Sequence, residues 1–468
     1  MSDSLRLYLV SAAAALLLAP STPVYWDSWG YVRQAIAGDV GGLGLGRPVF
    51  VLISQAIARA WLGAGGSVWH VEPVLRIFWA AIACAAAPLA WRLALLCGAS
   101  PRAAQLAGLA VACSPAMAHV TGTLLTDAPV AALLLGSFVC GARAVLEPRD
   151  ARQAALAGAA LGLAFGVREQ AALGVVGLAA MLLAAQRDRR AGIGLTMALT
   201  AAATAIAPII FVLLTEPGYL DTVRGWFDGM ARDRAQRTFR WGDAALLIGW
   251  LLSLGPAVVV ATALAIASSR SPAGARRTVL PAIVLASVVQ FVAVAGLPGM
   301  AYSPRFLVAG FAGALAIPGA LVLDRWAGRS SARLGIVLAA IVAPLLIAAP
   351  IVHARAAPMT ATLGALPPML FALPDRAAIV TGYPCPAIDV VREQIAHDRG
   401  AAAAPDWQPV CPGWAWPVDL TAHLDAAASA GRPIVIDLRP TSWIGAEQRA
   451  ALREATAYAR QRPVVIWE

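Results

Sequence analysis

Apolar residues in this chain come in long uninterrupted runs separated by short polar connections. The first run, Leu5 to Ala19, is rich in Ala and Leu and has Arg6 near its start. Further runs occupy roughly residues 73–97, 102–120, 128–146, 151–167, 170–185, 191–215, 244–268, 279–296, 306–323 and 334–352. Most are close to the ~20 apolar residues that cross a bilayer as a helix. The pattern predicts an α-helical polytopic membrane protein with about eleven spans. The first run is read as an uncleaved span rather than a signal peptide, because so many spans follow it. Residues 151–185 are read as two short helices broken at Arg168-Glu169.

Two stretches depart from this rhythm. Residues 20–72 form a long loop in which Ser28 to Ala37 and Val49 to Leu62 have helical apolar spacing, as expected of interfacial helices lying on the membrane. After Val352 the composition changes. A Pro- and Ala-rich connector at 353–375 leads into three short apolar runs, Ala377 to Thr381, Ile434 to Leu438 and Val464 to Trp467. Helical patterns at Ala387 to His397, Leu420 to Ala430 and Ala446 to Gln461 lie between them. Short buried strands alternating with helices predict a small α/β domain with a parallel sheet. The expected division is a membrane domain at 1–352, a connector at 353–375 and a soluble domain at 376–468.

Composition agrees and sharpens the charge picture. The chain is 59% hydrophobic with mean hydropathy +0.71, and only 13% of its residues are charged, about half of the ~25% usual in soluble domains. The net charge of +10 is no nucleic-acid signal: residues 353–468 hold ten Arg against eleven Asp and Glu, so the excess lies in the membrane part. There Arg collects in alternate connections: Arg102; Arg143, Arg149 and Arg152; Arg187, Arg189 and Arg190; Arg270, Arg276 and Arg277; Arg325, Arg329 and Arg333. The positive-inside rule makes these cytoplasmic, which puts the N-terminus inside and the soluble domain outside. The loop 216–243 then falls outside although it carries Arg224, Arg232, Arg234, Arg237 and Arg240, which suggests an anionic partner. Lys and Asn are absent, so no N-glycosylation acceptor exists. Cys84, Cys97, Cys113 and Cys140 fall in apolar runs and read as small core residues. Cys385 and Cys411 sit in Pro-containing loops of the outer domain, where an oxidising environment favours a disulfide between them.

The candidate chemistry gathers at the outer face. Tyr25-Trp26-Asp27-Ser28-Trp29-Gly30-Tyr31 places one carboxylate among aromatic rings. Asp27 is either the N-cap of a helix beginning at Ser28 or a general base, ionised at neutral pH. Trp26 and Trp29 are interface anchors or, with Tyr31, flat surfaces against a sugar or lipid. Thr126-Asp127-Ala128-Pro129 reads as a helix start, yet a second carboxylate at the same membrane face is notable in an acid-poor chain. In Tyr302-Ser303-Pro304-Arg305-Phe306 the guanidinium is placed to snorkel to headgroups or to hold a phosphate. Arg168 is either paired with Glu169 or available to an anion. His70 and His119 lie near the same face, and no metal-ligand spacing appears.

The order of these motifs resembles the GT-C superfamily of membrane glycosyltransferases, in particular the bacterial branch with protein mannosyltransferases and the lipid A aminoarabinose transferase. Asp27, Tyr31 and Ala35 match the acidic residue, Tyr and Ala of the first outer loop and next helix. Arg47-Pro48 matches a basic residue before Pro, Thr126 to Pro129 a Thr-Asp-x-Pro-like span start, Gly158 to Arg168 a Gly-rich span ending in a basic residue, and Tyr302 to Phe306 a Tyr-x-Pro-Arg-aromatic signature. The chain has Asp27-Ser28 where many relatives have Asp-Glu, and Val49 where a second Pro is usual. The resemblance covers roughly residues 1–320.

The resemblance implies transfer of a sugar from a polyprenyl-phosphate donor to an envelope acceptor, on the periplasmic face of the bacterial inner membrane, by an inverting single displacement. Asp27 and Asp127 would be the catalytic carboxylates; Arg305, Arg168, Tyr302 and Arg47 would hold the lipid phosphate. The donor is a co-substrate; no cofactor is expected, and a divalent metal is left open. Two other readings use the same outer-face charges: a transporter or flippase of an anionic lipid-linked sugar, and a polymerase or ligase acting on a lipid diphosphate donor.

Overall fold

The computed structural model describes residues 2–40, 47–147, 151–236, 248–249, 251–268, 276–296, 305, 308, 315–381, 385–410, 420–439, 452–457 and 464–467. It is an α-helical membrane fold with a small α/β domain after the last span. Helix α1, Asp3–Leu18, is followed by α2, Trp26–Ala37, and α3, Pro48–Gly63, which are the two helices expected in the long loop. Then come α4, Val71–Cys84; α5, Ala86–Leu96; α6, Pro101–Ala112; α7, Pro115–Thr121; α8, Asp127–Leu146; and α9, Ala151–Val167. A short 3-10 turn, Glu169–Leu173, leads into α10, Gly174–Leu182, so the break at Arg168 is present. The remainder are α11, Arg187–Thr215; α12, Tyr219–Gln236; α13, Pro256–Ser268; α14, Arg276–Gly296; α15, Ala316–Ala327; and α16, Ser331–Phe371.

Among the described residues, four continuous helical stretches are long and apolar enough to cross a membrane: Val68–Leu96, Asp127–Leu146, Arg187–Thr215 and Ser331–Phe371. The pair α6 and α7, bent by 57°, would make a fifth. Capping explains several starts. The hydroxyls of Ser100 and Ser114 accept from Ala103 N–H and Met117 N–H, and each is followed by a Pro that has no N–H to leave orphaned.

Helix α9 positions the site by close packing. Gly158 and Gly162, four residues apart, lie against α11 so tightly that a Cβ at either would collide with backbone of that helix, at Met197 and Ala201. Gly166, one turn further, packs against the side chain of Val49 of α3, which a Cβ there would overlap. Small residues at this spacing let helix backbones approach, which is how apolar helices associate where lipid removes the hydrophobic driving force. The consequence is local: the end of α9, and Arg168 after it, are held against the start of α3, and Arg47 is the residue just before that start.

The stretch 353–371 differs from the expected connector. It is the continuation of α16, a single helix of 41 residues. Met359, Leu363, Leu366 and Leu370 are buried in one core with Ile388, Val391, Ile395 and Trp407 of the soluble domain. Each such side chain contributes about 1.5–3 kcal/mol on burial. The prolines at 358, 367 and 368 each cost ~3 kcal/mol in a helix interior. The two effects are of the same size, and packing that local sequence does not reveal tips the balance to helix.

The soluble domain has four parallel strands in the order β2-β1-β3-β4. They are β1, Ala378–Val380; β2, Gln408–Val410; β3, Ile434–Asp437; and β4, Val464–Trp467. Ala378 pairs with Gln408 on one side and with Ile434 on the other. Strand β2 has no counterpart among the expected apolar runs. It is an edge strand containing Pro409, where a missing N–H is tolerated. Helix α17, Cys385–Arg399, follows β1, and α18, Leu420–Ser429, precedes β3; of the expected helix over Ala446 to Gln461 the described part is 452–457. Cys385 is disulfide-bonded, while Cys84, Cys97, Cys113 and Cys140 are free; Cys411, its expected partner, lies outside the described residues.

Candidate active site

Helix α2 places Asp27 in its first turn, not at its cap. The N-cap is Tyr25, which makes no side-chain capping bond, so the capping role considered for Asp27 is not the one it has. The helix ends at Gly38, whose φ of 79° is the left-handed conformation that glycine adopts without strain. Ser28 is fully buried and donates its hydroxyl to the carbonyl of Leu124 at 2.8 Å. That bond ties α2 to the turn before α8 and gives Ser28 a structural task.

Around Asp27 the fold assembles a cluster of charges. Arg305 Nη2 lies 2.9 Å from Asp27 Oδ2, and Arg47 Nη1 is 3.8 Å from the same oxygen. Arg47 Nε also faces Glu169 Oε2 at 3.8 Å, and Arg47 Nη1 donates to the Tyr31 hydroxyl oxygen at 2.6 Å. Arg168 Nη1 is 2.7 Å from Asp127 Oδ1 and donates to Thr126 Oγ1 at 3.0 Å. Among the described residues three guanidinium groups therefore meet three carboxylates, which balance in formal charge. Burial raises the pKa of the Asp27 carboxyl, but Arg305, Arg47 and Arg168 outweigh burial and hold it below the ordinary value.

The cluster has depth. Arg168 and Asp127 are each 1% exposed, a closed pair at its inner end. Asp27 is 17% and Arg305 10% exposed, forming its outer end. Buried charges survive only when paired, and the inner pair meets that requirement. Thr126 does not cap α8 through its side chain; its hydroxyl serves Arg168, and Asp127 serves Arg168 as well. The Arg168–Glu169 pair allowed by the sequence is replaced by two crossed pairs, Arg168 with Asp127 and Glu169 with Arg47.

The aromatic residues take different places from those expected. Tyr31 is buried at 1% exposure, packed on Phe50 with ring centroids 4.6 Å apart, and belongs to the core under Arg47. Trp26 and Trp29 are half-buried against the core shared by α16 and the soluble domain, and the Trp29 indole donates to the Pro23 carbonyl at 3.1 Å. They anchor α2 to the soluble domain, whose helix α17 lies against it. Trp69 adds a bond to Asp398 at 2.7 Å. Besides Tyr31, whose hydroxyl meets Arg47, Tyr25 faces the cluster: the Arg305 guanidinium lies 5.3 Å from its centroid, and its hydroxyl is 3.1 Å from His119 Nε2. Burial pushes the Tyr25 phenol up to about 12, so it stays protonated. Nothing local separates Tyr25 from the neighbouring aromatics, so the sequence alone does not single it out.

Tyr302, Ser303, Pro304 and Phe306 lie outside the described residues, as do Arg237 and Arg240 of the Arg-rich loop; Arg224 of that loop is exposed on α12. Among the described residues no group of three His, Cys, Asp or Glu comes together to hold a metal ion.

Comparison with known proteins bears on the fold. The family model for dolichyl-phosphate-mannose-protein mannosyltransferase matches residues 58–214. No curated protein sequence matches the chain. Among solved structures, the archaeal oligosaccharyltransferase AglB from Archaeoglobus fulgidus, in complex with an inhibitory peptide and a dolichol-phosphate, superposes with a TM-score of 0.54 at 14% identity, over 83% of this chain and 63% of that one. The A. fulgidus oligosaccharyltransferase in complex with Zn and sulfate gives a TM-score of 0.58 at 16% identity, over 88% and 62%. ArnT from Cupriavidus metallidurans bound to undecaprenyl phosphate gives 0.51 at 15% identity, over 98% of this chain and 89% of that one. The chain thus spans a little under two thirds of the oligosaccharyltransferase and most of ArnT. It has the GT-C fold, as its motif order suggests, and it is a multi-pass membrane protein of that architecture.

Proposed function

We propose that this chain is a membrane glycosyltransferase that moves a sugar from a polyprenyl-phosphate donor to an acceptor hydroxyl at the outer face of the cytoplasmic membrane. The observation that carries the reading is the Asp27–Arg305 pair, a carboxylate and a guanidinium 2.9 Å apart at the more exposed end of the charge cluster. The likeness in fold to structures holding dolichol-phosphate and undecaprenyl phosphate supports the class of donor.

The chemistry is a single displacement. The acceptor oxygen attacks the anomeric carbon and forms the new glycosidic bond. Its proton passes to Asp27, while the bond from the anomeric carbon to the phosphate oxygen breaks and that oxygen keeps the electron pair. The configuration inverts. The leaving polyprenyl phosphate is already anionic, so the transition state calls for fixed positive charge rather than a strong acid. Arg305 supplies it, with Arg47 behind. Arg168 acts at one remove by holding Asp127 and Thr126. The eleven-span topology, with the soluble domain in the periplasm, belongs to the same reading and puts the cluster on the periplasmic side.

The test is transfer from a synthetic polyprenyl-phosphate sugar to a panel of envelope acceptors by the purified chain in nanodiscs. Wild-type transfer that Asp27→Asn abolishes supports the reading. Wild-type protein that transfers no lipid-linked sugar but translocates it across the bilayer would make it a transporter instead.

A further inference from the structure

The cluster's charge balance has a consequence for how the base becomes active. Asp27, Asp127 and Glu169 stand against Arg47, Arg168 and Arg305, three of each sign. The three guanidinium groups are not equally available. Arg168 is buried on Asp127 and Thr126. Arg47 is divided among Asp27, Glu169 and Tyr31. Arg305 lies at the outer end, 2.9 Å from Asp27 and over the Tyr25 ring. A guanidinium binds phosphate in the same forked geometry in which it binds carboxylate. A donor phosphate reaching this site therefore meets Arg305 already engaged by the residue read as the base.

We infer that the donor phosphate and Asp27 compete for Arg305, and that docking of the donor releases Asp27 to act as the base. This rests on the assignment of Asp27 given above. In the free protein Asp27 is a carboxylate stabilised by its 2.9 Å partner, hence a weak proton acceptor. When Arg305 turns to the phosphate, Asp27 loses that partner, keeps Arg47 at 3.8 Å and gains an anion nearby. Each change favours its protonated form and strengthens it as a base. The remaining described groups around it do not reverse this sign. Arg168, Asp127 and Glu169 stay paired among themselves and with Arg47, Tyr31 lies on Arg47, and Tyr25 lies against the Arg305 guanidinium with its hydroxyl on His119. A base that strengthens only in the donor complex is not spent on deprotonating other hydroxyls beforehand.

The probe is a polyprenyl methyl phosphodiester, which carries one charge, cannot transfer a sugar and does not itself titrate near neutral pH. Its binding to the full chain in nanodiscs is measured for wild type and for Asp27→Asn between pH 4 and 8. Removing the competing charge should tighten binding about tenfold at neutral pH, the size expected for one hydrogen bond to a charged group. The variant's affinity should change less with pH than that of the wild type, which should rise toward it as pH falls and Asp27 takes up a proton. Equal or weaker binding by the Asn variant across the range overturns the inference. A second measurement needs no variant. The acid limb of kcat, which reports the complex, should lie at higher pH than that of kcat/KM, which reports the free protein. Coincident limbs also overturn it. A wild type that transfers sugar but shows neither effect leaves the glycosyltransferase reading standing and removes only the exchange; a wild type that binds no phosphodiester lipid removes both.

Discussion

Two of the Asp–Arg contacts in this molecule, Asp437 with Arg439 and Asp27 with Arg305, are built differently. In the soluble domain Asp437, at the end of β3, takes two bonds from Arg439, from Nε to Oδ1 and from Nη2 to Oδ2, both 2.9 Å. The Thr381 hydroxyl donates to the same carboxylate at 3.2 Å. Arg439 spends its third arm on the Thr362 carbonyl of α16 at 3.0 Å, and Trp467 covers its face. This is the crevice at the carboxyl ends of parallel strands where open α/β sheets commonly bind ligands, and here it is filled by the protein's own side chains and docked on a helix. In the charge cluster of the membrane domain, by contrast, Asp27 has one close contact and one distant one among the described residues, to two different arginines, and is 17% exposed. A buried ion pair is not in itself a sign of function. What distinguishes the second contact is a partly exposed charge shared between two arginines.

The sharpest way to break the comparison is at Asp27. Asp27→Asn keeps the shape of the side chain and should fold, while turnover falls by about 10²–10⁴-fold for want of a proton acceptor. Transfer from the synthetic donor by the folded variant measures it, and wild-type turnover would move the base elsewhere, with Asp127 the next candidate. Arg305→Ala should follow, lowering kcat/KM by about 10²–10³-fold, the usual cost of one preorganised donor at a developing negative charge. Arg305→Lys should recover only part of this, because an ammonium keeps the charge and loses the planar fork. Full recovery by Lys would mean that charge alone suffices.

The soluble-domain pair should respond in the opposite sense. Asp437→Asn should leave turnover per folded molecule within a few-fold of wild type, while thermal unfolding or limited proteolysis shows a loss of about 3–5 kcal/mol, because Arg439 is left buried without its carboxylate. A large drop in turnover with stability intact would show that the crevice takes part in transfer. The smallest effect belongs to Cys385: in the native protein without reductant it should resist thiol labelling, and Cys385→Ser should cost about 2–4 kcal/mol of soluble-domain stability with transfer unchanged. Ready labelling of Cys385 in the unreduced protein would contradict the disulfide.

Local pattern alone determined a good deal here. Uninterrupted apolar runs gave the helical membrane body, because in lipid only a helix or a closed barrel satisfies its own backbone polar groups. Three of the four strands, the break at Arg168 and the two loop helices were legible for the same reason, since hydrophobic periodicity is a property of neighbouring residues. The polar edge strand around Pro409 and the helix running through 353–371 were not legible, because packing rather than local preference decides them. The site divides in the same way. Asp27, Asp127, Arg47, Arg168 and Arg305 stood out as charges in an apolar chain, but the sequence did not say which of them pair. Asp27 meets Arg305 from the far end of the membrane domain, Asp127 meets Arg168 across α8 and α9, and Arg47 meets Glu169 because Gly166 lets α9 close on α3. A buried charge must find a partner, but only the tertiary structure decides which one, because charges far apart along the chain can be neighbours in space. That choice separates the closed pair of Arg168 from the open one of Arg305.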